Sequence, residues 1–237
     1  MVANRNGKKA SRESAPDDSW LAFFDAGLKT LETLEEYLAC GEQSKRARDH
    51  GCFGHVSLDA KKFLRDLHKA HAILQVAKPR MKHSRFLDIG CGVGMKVQLA
   101  SHVFSTAHGL EFDKGYFDVA ERLRDATLSY GVDFFHGDAL KFTDFGSYDV
   151  LYLYRPMKDI DKQTELEDRI AAGIKKDAVV IAHLCSFDRI CRRNREAAEI
   201  GLHRLFDTIY VKTDQRRLQT IRERLAKQTG NLSTVWW

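Results

Sequence analysis

An open, doubly wound α/β fold with a mostly parallel sheet is what this 237-residue sequence predicts. Three observations carry the prediction. From residue 85 onward, short apolar runs alternate with segments of helical period. A glycine turn, Gly90-Cys91-Gly92-Val93-Gly94, separates the first run from the helix after it. Carboxylates mark the ends of the first three runs: Asp88 within the first, Glu111 closing the second and Asp138 just past the third. Ligands of open α/β sheets bind at such strand ends.

The elements follow in order. Residues 1–16 are polar and read as a disordered basic tail, with four Lys/Arg against Glu13. Trp20, Phe23, Phe24, Leu28, Leu31, Leu34 and Leu38 then recur at helical spacing, behind the cap-type residues Asp17, Asp18 and Ser19. Residues 50–55 are glycine-punctuated and read as a loop. A second helix follows, with Ser57 as cap, Phe63, Leu64, Leu67, Ile73 and Leu74 on its apolar side, and Pro79 as its stop. Strands are expected at residues 85–89, 106–111, 132–135, 148–154, 178–183, 205–211 and 232–237. Helices are expected at 96–104, 115–129, 160–174, 190–201 and 214–228. The chain thus divides into the tail, a helical N-terminal extension with a loop over residues 17–80, and the α/β domain over 81–237.

Composition narrows the class. With 43% hydrophobic and 30% charged residues, the chain can fill a core. No apolar run approaches the roughly 20 residues of a membrane span, and the N-terminus lacks a signal-peptide apolar region. Five cysteines at irregular spacing suit a reducing cytoplasm. His50, Cys52 and His55, with Cys40 upstream, match no common zinc spacing, so no metal is expected. The net charge is +5, and residues 184–237 carry eleven basic against six acidic side chains. Such a stretch is a solvated helical surface or a polyanion contact.

The glycine turn is the sharpest signal. Alternate glycines after a strand let the backbone turn tightly and approach a ligand without Cβ clashes. A nicotinamide fingerprint would need glycine three positions after Gly92, where Met95 stands, and no Gly-Lys-Ser/Thr makes a phosphate loop. Glu111 can accept from both hydroxyls of a ribose.

On these residues the chain resembles the class I S-adenosylmethionine-dependent methyltransferases, over about residues 50–212. The resemblance implies a seven-stranded Rossmann-like sheet and S-adenosyl-L-methionine as cofactor. Asp88, Gly90, Cys91, Gly92 and Gly94 match the motif that cradles the methionine part. Glu111, with Phe112 beside it, matches the ribose-binding acid; Asp138, with Ala139 beside it, matches the adenine-contacting acid. Phe53-Gly54-His55 is similar in layout to the cofactor-closing Tyr-Gly-Glu loop of the non-SET histone lysine methyltransferases, which gives Phe53 a covering role.

The resemblance also implies that catalysis sits after strand four, here Leu153-Tyr154-Arg155-Pro156. That stretch lacks the Asn/Asp-Pro-Pro-Tyr/Phe of the nucleic-acid amino methyltransferases and the Pro-Cys of the cytosine-C5 enzymes. Tyr154 is therefore read as the residue that orients or deprotonates the acceptor, and Arg155 as a binder of carboxylate or phosphate. The expected acceptor is a small molecule or a protein side chain. The alternatives are a cofactor-binding module without transfer, or an RNA methyltransferase that uses the basic C-terminal third.

Overall fold

The computed structural model of the chain describes residues 19–41, 43–193 and 201–231. Three helices, Ser19–Leu38 (α1), Lys45–His50 (α2) and Ala60–Ala77 (α3), precede the sheet. Then follow Arg85–Ile89 (β1), Met95–Ala100 (α4), Thr106–Glu111 (β2), Lys114–Thr127 (α5), Val132–His136 (β3) and Val150–Tyr154 (β4). Ile160–Gly173 (α6), Val179–His183 (β5), Phe187–Arg193 (α7), Gly201–Phe206 (β6), Ile209–Thr213 (β7) and Gln215–Asn231 (α8) complete the described elements.

The sheet has seven strands in the order β3-β2-β1-β4-β5-β7-β6. All pairs are parallel except β5 with β7 and β7 with β6. This is the Rossmann-like sheet that the resemblance implies. The direction of winding reverses between β1 and β4, the switch point at which ligands bind in such sheets.

The central strands are apolar because both of their faces are covered. Phe86, Val150, Tyr152, Val179 and Ile181 enter one core with α3, α4 and α8. Their neighbours Leu87, Leu151, Leu153, Val180 and Ala182 enter the other with α6 and α7. The period of two along each strand thus assigns each side chain to a helix layer. Phe63 of α3 meets Tyr152 edge-on, with centroids 5.1 Å apart. Just before β4, the buried Asp149 carboxylate lies 2.9 Å from both Lys78 and Lys175 and accepts from Arg85 N, tying α3, β1 and the strand beyond together.

Several elements differ from expectation. The run 205–211 is not one strand but parts of a hairpin: β6 and β7 pair across the two-residue turn Asp207-Thr208. Neither turn residue is glycine or asparagine, so the alternation of apolar residues runs through the turn unbroken. Gly201 begins β6 rather than ending a helix, and the helix before it starts earlier, at Phe187. Residues 194–200, and the expected strand at 232–237, lie outside the described residues, as do Asp17 and Asp18. Asp59, not Ser57, caps α3, its carboxylate accepting from Lys62 N. Ser57 and Leu58 stay extended because Leu58 N donates to Glu35 of α1 at 2.6 Å. Helix α4 ends at Ala100, with residues 101–104 in turns. The short α2 was invisible to periodicity; it is set by Ser44 accepting from Ala47 N and by Gly51 in the left-handed region. No helix among the described residues is long and apolar enough to cross a membrane.

Candidate functional site: a cleft at the carboxyl ends of the strands

A cleft opens at the ends of β1, β2 and β4. Its floor is the glycine turn. Gly90 N and Cys91 N both donate to Leu110 O, which folds the turn across the end of β2. Gly90 has φ +78°, and a Cβ there would stand 3.0 Å from the Pro156 ring. Gly94 serves packing instead: at φ +82° it caps α4, and a Cβ would fall 2.5 Å from the Phe134 ring. Cys91 is buried, and burial pushes its thiol well up, so it contributes backbone rather than a nucleophile.

Three carboxylates line the cleft, Glu111, Asp88 and Glu35. Glu111 accepts from Gly92 N (2.8 Å) and Asp113 N (2.8 Å). Burial raises its carboxyl above the ordinary value, against the pull of those bonds. A carboxylate has about four acceptor positions, so two remain for a ligand. Asp88 is buried, and its Oδ2 has no hydrogen-bond partner among the described residues. Burial raises its carboxyl to about 7, and Lys96 only partly offsets this. Glu35 reaches the cleft from α1. Burial alone would raise it, but His55, Lys96 at 3.5 Å and Leu58 N together hold it below the ordinary value. Asp138, by contrast, does not line the cleft, although Gly137 and Ala139 do. Its Oδ1 accepts from Leu140 N and lies 3.4 Å from His50 Nε2.

Phe112 lines the cleft next to Glu111 and stacks on His50 with centroids 4.2 Å apart. Phe53 lines it from the loop before α3. That loop is stitched to the segment after β4: Phe53 N donates to Pro156 O at 3.0 Å, and Lys158 N to Gly51 O at 2.7 Å. Arg155 does not line the cleft; its guanidinium sits over the Phe53 ring, 5.3 Å from the centroid. Its φ of +35°, unusual for a non-glycine residue, turns the chain there. Tyr154 and Tyr152 do line the cleft. Burial, then the charges of Asp88 and Asp66, push the Tyr152 phenol far up, so it remains a hydroxyl at any working pH.

The structure therefore gathers Asp88, Gly90, Cys91, Gly92, Glu111, Phe112, Ala139, Phe53 and Tyr154 around one cleft, and leaves Gly94, Asp138 and Arg155 just behind its wall. Sequence reasoning missed Glu35, Lys96, Tyr116 and Tyr152. Glu35 stands on the first helix, which the sequence marks by its apolar spacing alone, and nothing in that spacing singles it out. Lys96 and Tyr116 were read only as helix positions. Tyr152 was hidden in an apolar strand, although an odd polar-tipped residue in such a run is a usable signal.

Elsewhere, four arginines of the basic C-terminal third are paired within the protein. Arg189 and Arg193 meet Asp168, Arg204 meets Asp188, and Arg217 meets Asp177. Among the described residues, no three His, Cys, Asp or Glu side chains gather as metal ligands would.

Residues 87–182 match the family model described as "Methyltransferase domain". No curated protein matches the chain. Among solved structures, the chain is similar to the YcgJ protein of Bacillus subtilis, with 23% identity and TM-score 0.39 over 48% of this chain and 49% of that one. It is also similar to a magnesium protoporphyrin IX methyltransferase from Synechocystis PCC 6803 with bound SAM, with 14% identity and TM-score 0.49 over 85% of this chain and 100% of that one. A third is CalS10, an amino pentose methyltransferase from Micromonospora echinaspora, with 18% identity and TM-score 0.43 over 69% and 63%. The chain spans about half the length of the first of these structures. The matched segment runs from β1 to β5 and holds the glycine turn, Glu111 and Tyr154. The match over residues 87–182 to a methyltransferase-domain model is in line with the class I S-adenosylmethionine-dependent methyltransferases that the motifs resemble.

Proposed function

We propose that this methyltransferase domain transfers a methyl group from S-adenosylmethionine to a small-molecule or protein acceptor. The observation that carries the reading is the unpartnered Asp88 Oδ2 in a cleft that also holds the glycine turn, Glu111 and the end of β4. A buried carboxylate oxygen without a partner is costly unless a ligand supplies one, and the amino group of the donor's methionine part is such a partner. The residues fit the rest of the donor too. The backbone of Gly90, Cys91 and Gly92 would hold the methionine part, Glu111 the ribose hydroxyls, and Phe112 and Ala139 the base, with Phe53 above.

When bound, the donor supplies a methyl group on a positively charged sulfur. The chain's own work is then alignment and exclusion of water. Phe53 and the loop stitched to Pro156 cover the cleft. Tyr152 offers a hydroxyl that does not ionise, so it orients and cannot act as a base. Tyr154, at the last position of β4, orients the acceptor. Arg155 holds Phe53 in place. The free thiols of Cys40, Cys52, Cys91, Cys185 and Cys191 suit a reducing compartment such as the cytoplasm.

Incubating the protein with methyl-labelled donor and fractionated cell extract tests the reading. Label should enter one small-molecule or protein fraction. Tight donor binding with no labelled fraction would instead make the protein a binding module, and label in RNA would overturn the acceptor assignment.

A further inference from the structure

A second cavity, of about 100 Å³, lies beside the cleft and shares Val56, Lys96, Tyr152 and Tyr154 with it. Its remaining walls come from the start of α3 and the end of β5: Ser57, Asp59, Lys62, Phe63 and His183. Sheet register explains the placement. Tyr154 and His183 are paired at the last positions of β4 and β5, on the face covered by α3. Their rings stack with centroids 5.4 Å apart, inclined by 27°.

His183 is only 3% exposed, and its Nε2 lies 3.0 Å from Asp66 Oδ2 on α3, itself buried. The contact is within ion-pair reach but off the line of a good hydrogen bond, a common state of catalytic pairs before substrate arrives. With Nε2 turned to a carboxylate, the proton resides there and the lone pair is on Nδ1. Nδ1 is the ring nitrogen that Asp66 does not engage. A buried histidine oriented by a buried carboxylate through one nitrogen is the arrangement of a general base. The cavity adds aromatic walls, Phe63, Tyr152 and Tyr154, and one cation free of ion pairs among the described residues, Lys62. Asp59 is committed to the cap of α3, and Lys96 faces Glu35.

We infer that this cavity binds the methyl acceptor, that the acceptor is a small aromatic hydroxyl compound bearing an anionic group, and that His183 is the base that takes its hydroxyl proton. The inference rests on the transfer reading and deepens it. The aromatic ring packs between Phe63 and Tyr154, and the anionic group meets Lys62. The hydroxyl proton passes to His183 Nδ1, its bonding pair stays on the acceptor oxygen, and the new imidazolium is neutralised by Asp66. Asp66 is a positioning residue.

The proton step can be read without any transfer, with a nitrophenol that carries a carboxylate and whose phenolate absorbs visible light. The probe is titrated into the full-length protein, with and without S-adenosylhomocysteine, at a pH one unit below the probe's own ionisation in solution. Binding to the wild type should raise the visible phenolate band. His183→Gln keeps an amide donor for Asp66 but removes the base; it should bind the probe within about threefold and lose about nine-tenths of the band. Asp66→Asn should lose part of the band, and it keeps the test open should His183→Gln fail to fold. Lys62→Met should weaken the carboxylated probe about tenfold and leave an uncharged nitrophenol unchanged. An equal band in both dyad variants, or no probe binding to protein that binds S-adenosylhomocysteine, overturns the inference and leaves the transfer reading standing. Failure of S-adenosylhomocysteine itself to bind in calorimetry is failure of the transfer reading.

Discussion

The two halves of the strand-end surface are built by different means. On the β1–β2–β3 side the groups that line the cleft are mostly main chain and short carboxylates: Gly90, Cys91, Gly92, Asp88 and Glu111, all within 24 residues of sequence. On the β4–β5 side they are aromatic rings, a histidine and lysines, drawn from β4, β5, α3 and α4. Backbone groups recognise what every donor-dependent enzyme shares, because their geometry is fixed by the turn. Side chains from remote elements recognise what differs, because each can change without disturbing a turn. The first half is thus a fixed binding surface and the second a variable one.

That division predicts that substitutions on the β4 side move turnover, whereas those on the β1–β2 side move donor affinity. The largest effect should come from Tyr154→Phe. Transfer of label to the accepting extract fraction should fall about 10²-fold, as for a lost alignment or acid–base group, with donor affinity within about twofold. Loss of affinity instead would assign Tyr154 to the donor half. Glu111→Ala should weaken donor binding at least tenfold in calorimetry, since hydrogen bonds to a charged group contribute roughly 1.5–3 kcal/mol each. An unchanged affinity would remove Glu111 from the pocket.

Donor affinity should also rise about tenfold between pH 6 and pH 8. Asp88 titrates at about 7 in the folded chain, above its ordinary carboxyl value of about 4. Its ionisation therefore costs folding stability as pH climbs from about 4 to 7, and the donor's ammonium favours the ionised form. Asp88→Asn should flatten that part of the pH profile; a tenfold rise retained in the variant would place the titration elsewhere. The smallest effect is expected at Arg155→Ala, about threefold in donor affinity with turnover of bound donor unchanged. An exposed cation–π contact contributes about 0.5–1 kcal/mol, and here it acts through Phe53. A large fall in turnover would return Arg155 to the acceptor side.

The same division explains how much could be read from the sequence. The β1–β5 succession was legible, because buried parallel strands are continuous apolar runs separated by helical periods. The donor half was legible as well, since its groups are neighbours in sequence and its glycines are demanded by backbone geometry. The edge hairpin was not, because Asp207-Thr208 lacks the residues that mark tight turns. Glu35 and Asp66 lie on helices read by apolar period alone, and a lone acid on such a helix looks like any solvated position. His183 closed a strand without any motif around it. What brings these three to the site is helix docking, which a linear pattern does not encode.

The stitching of residues 51–53 to residues 156–158 sets the cleft's resting population. Swinging that loop away breaks two backbone hydrogen bonds, Phe53 N to Pro156 O and Lys158 N to Gly51 O, and frees the Phe53 ring from Arg155. At about 1 kcal/mol net for each bond, the stitched arrangement is the favoured one. The segment that follows Tyr154 and the loop that carries Phe53 share those bonds, so a displacement of one is felt by the other.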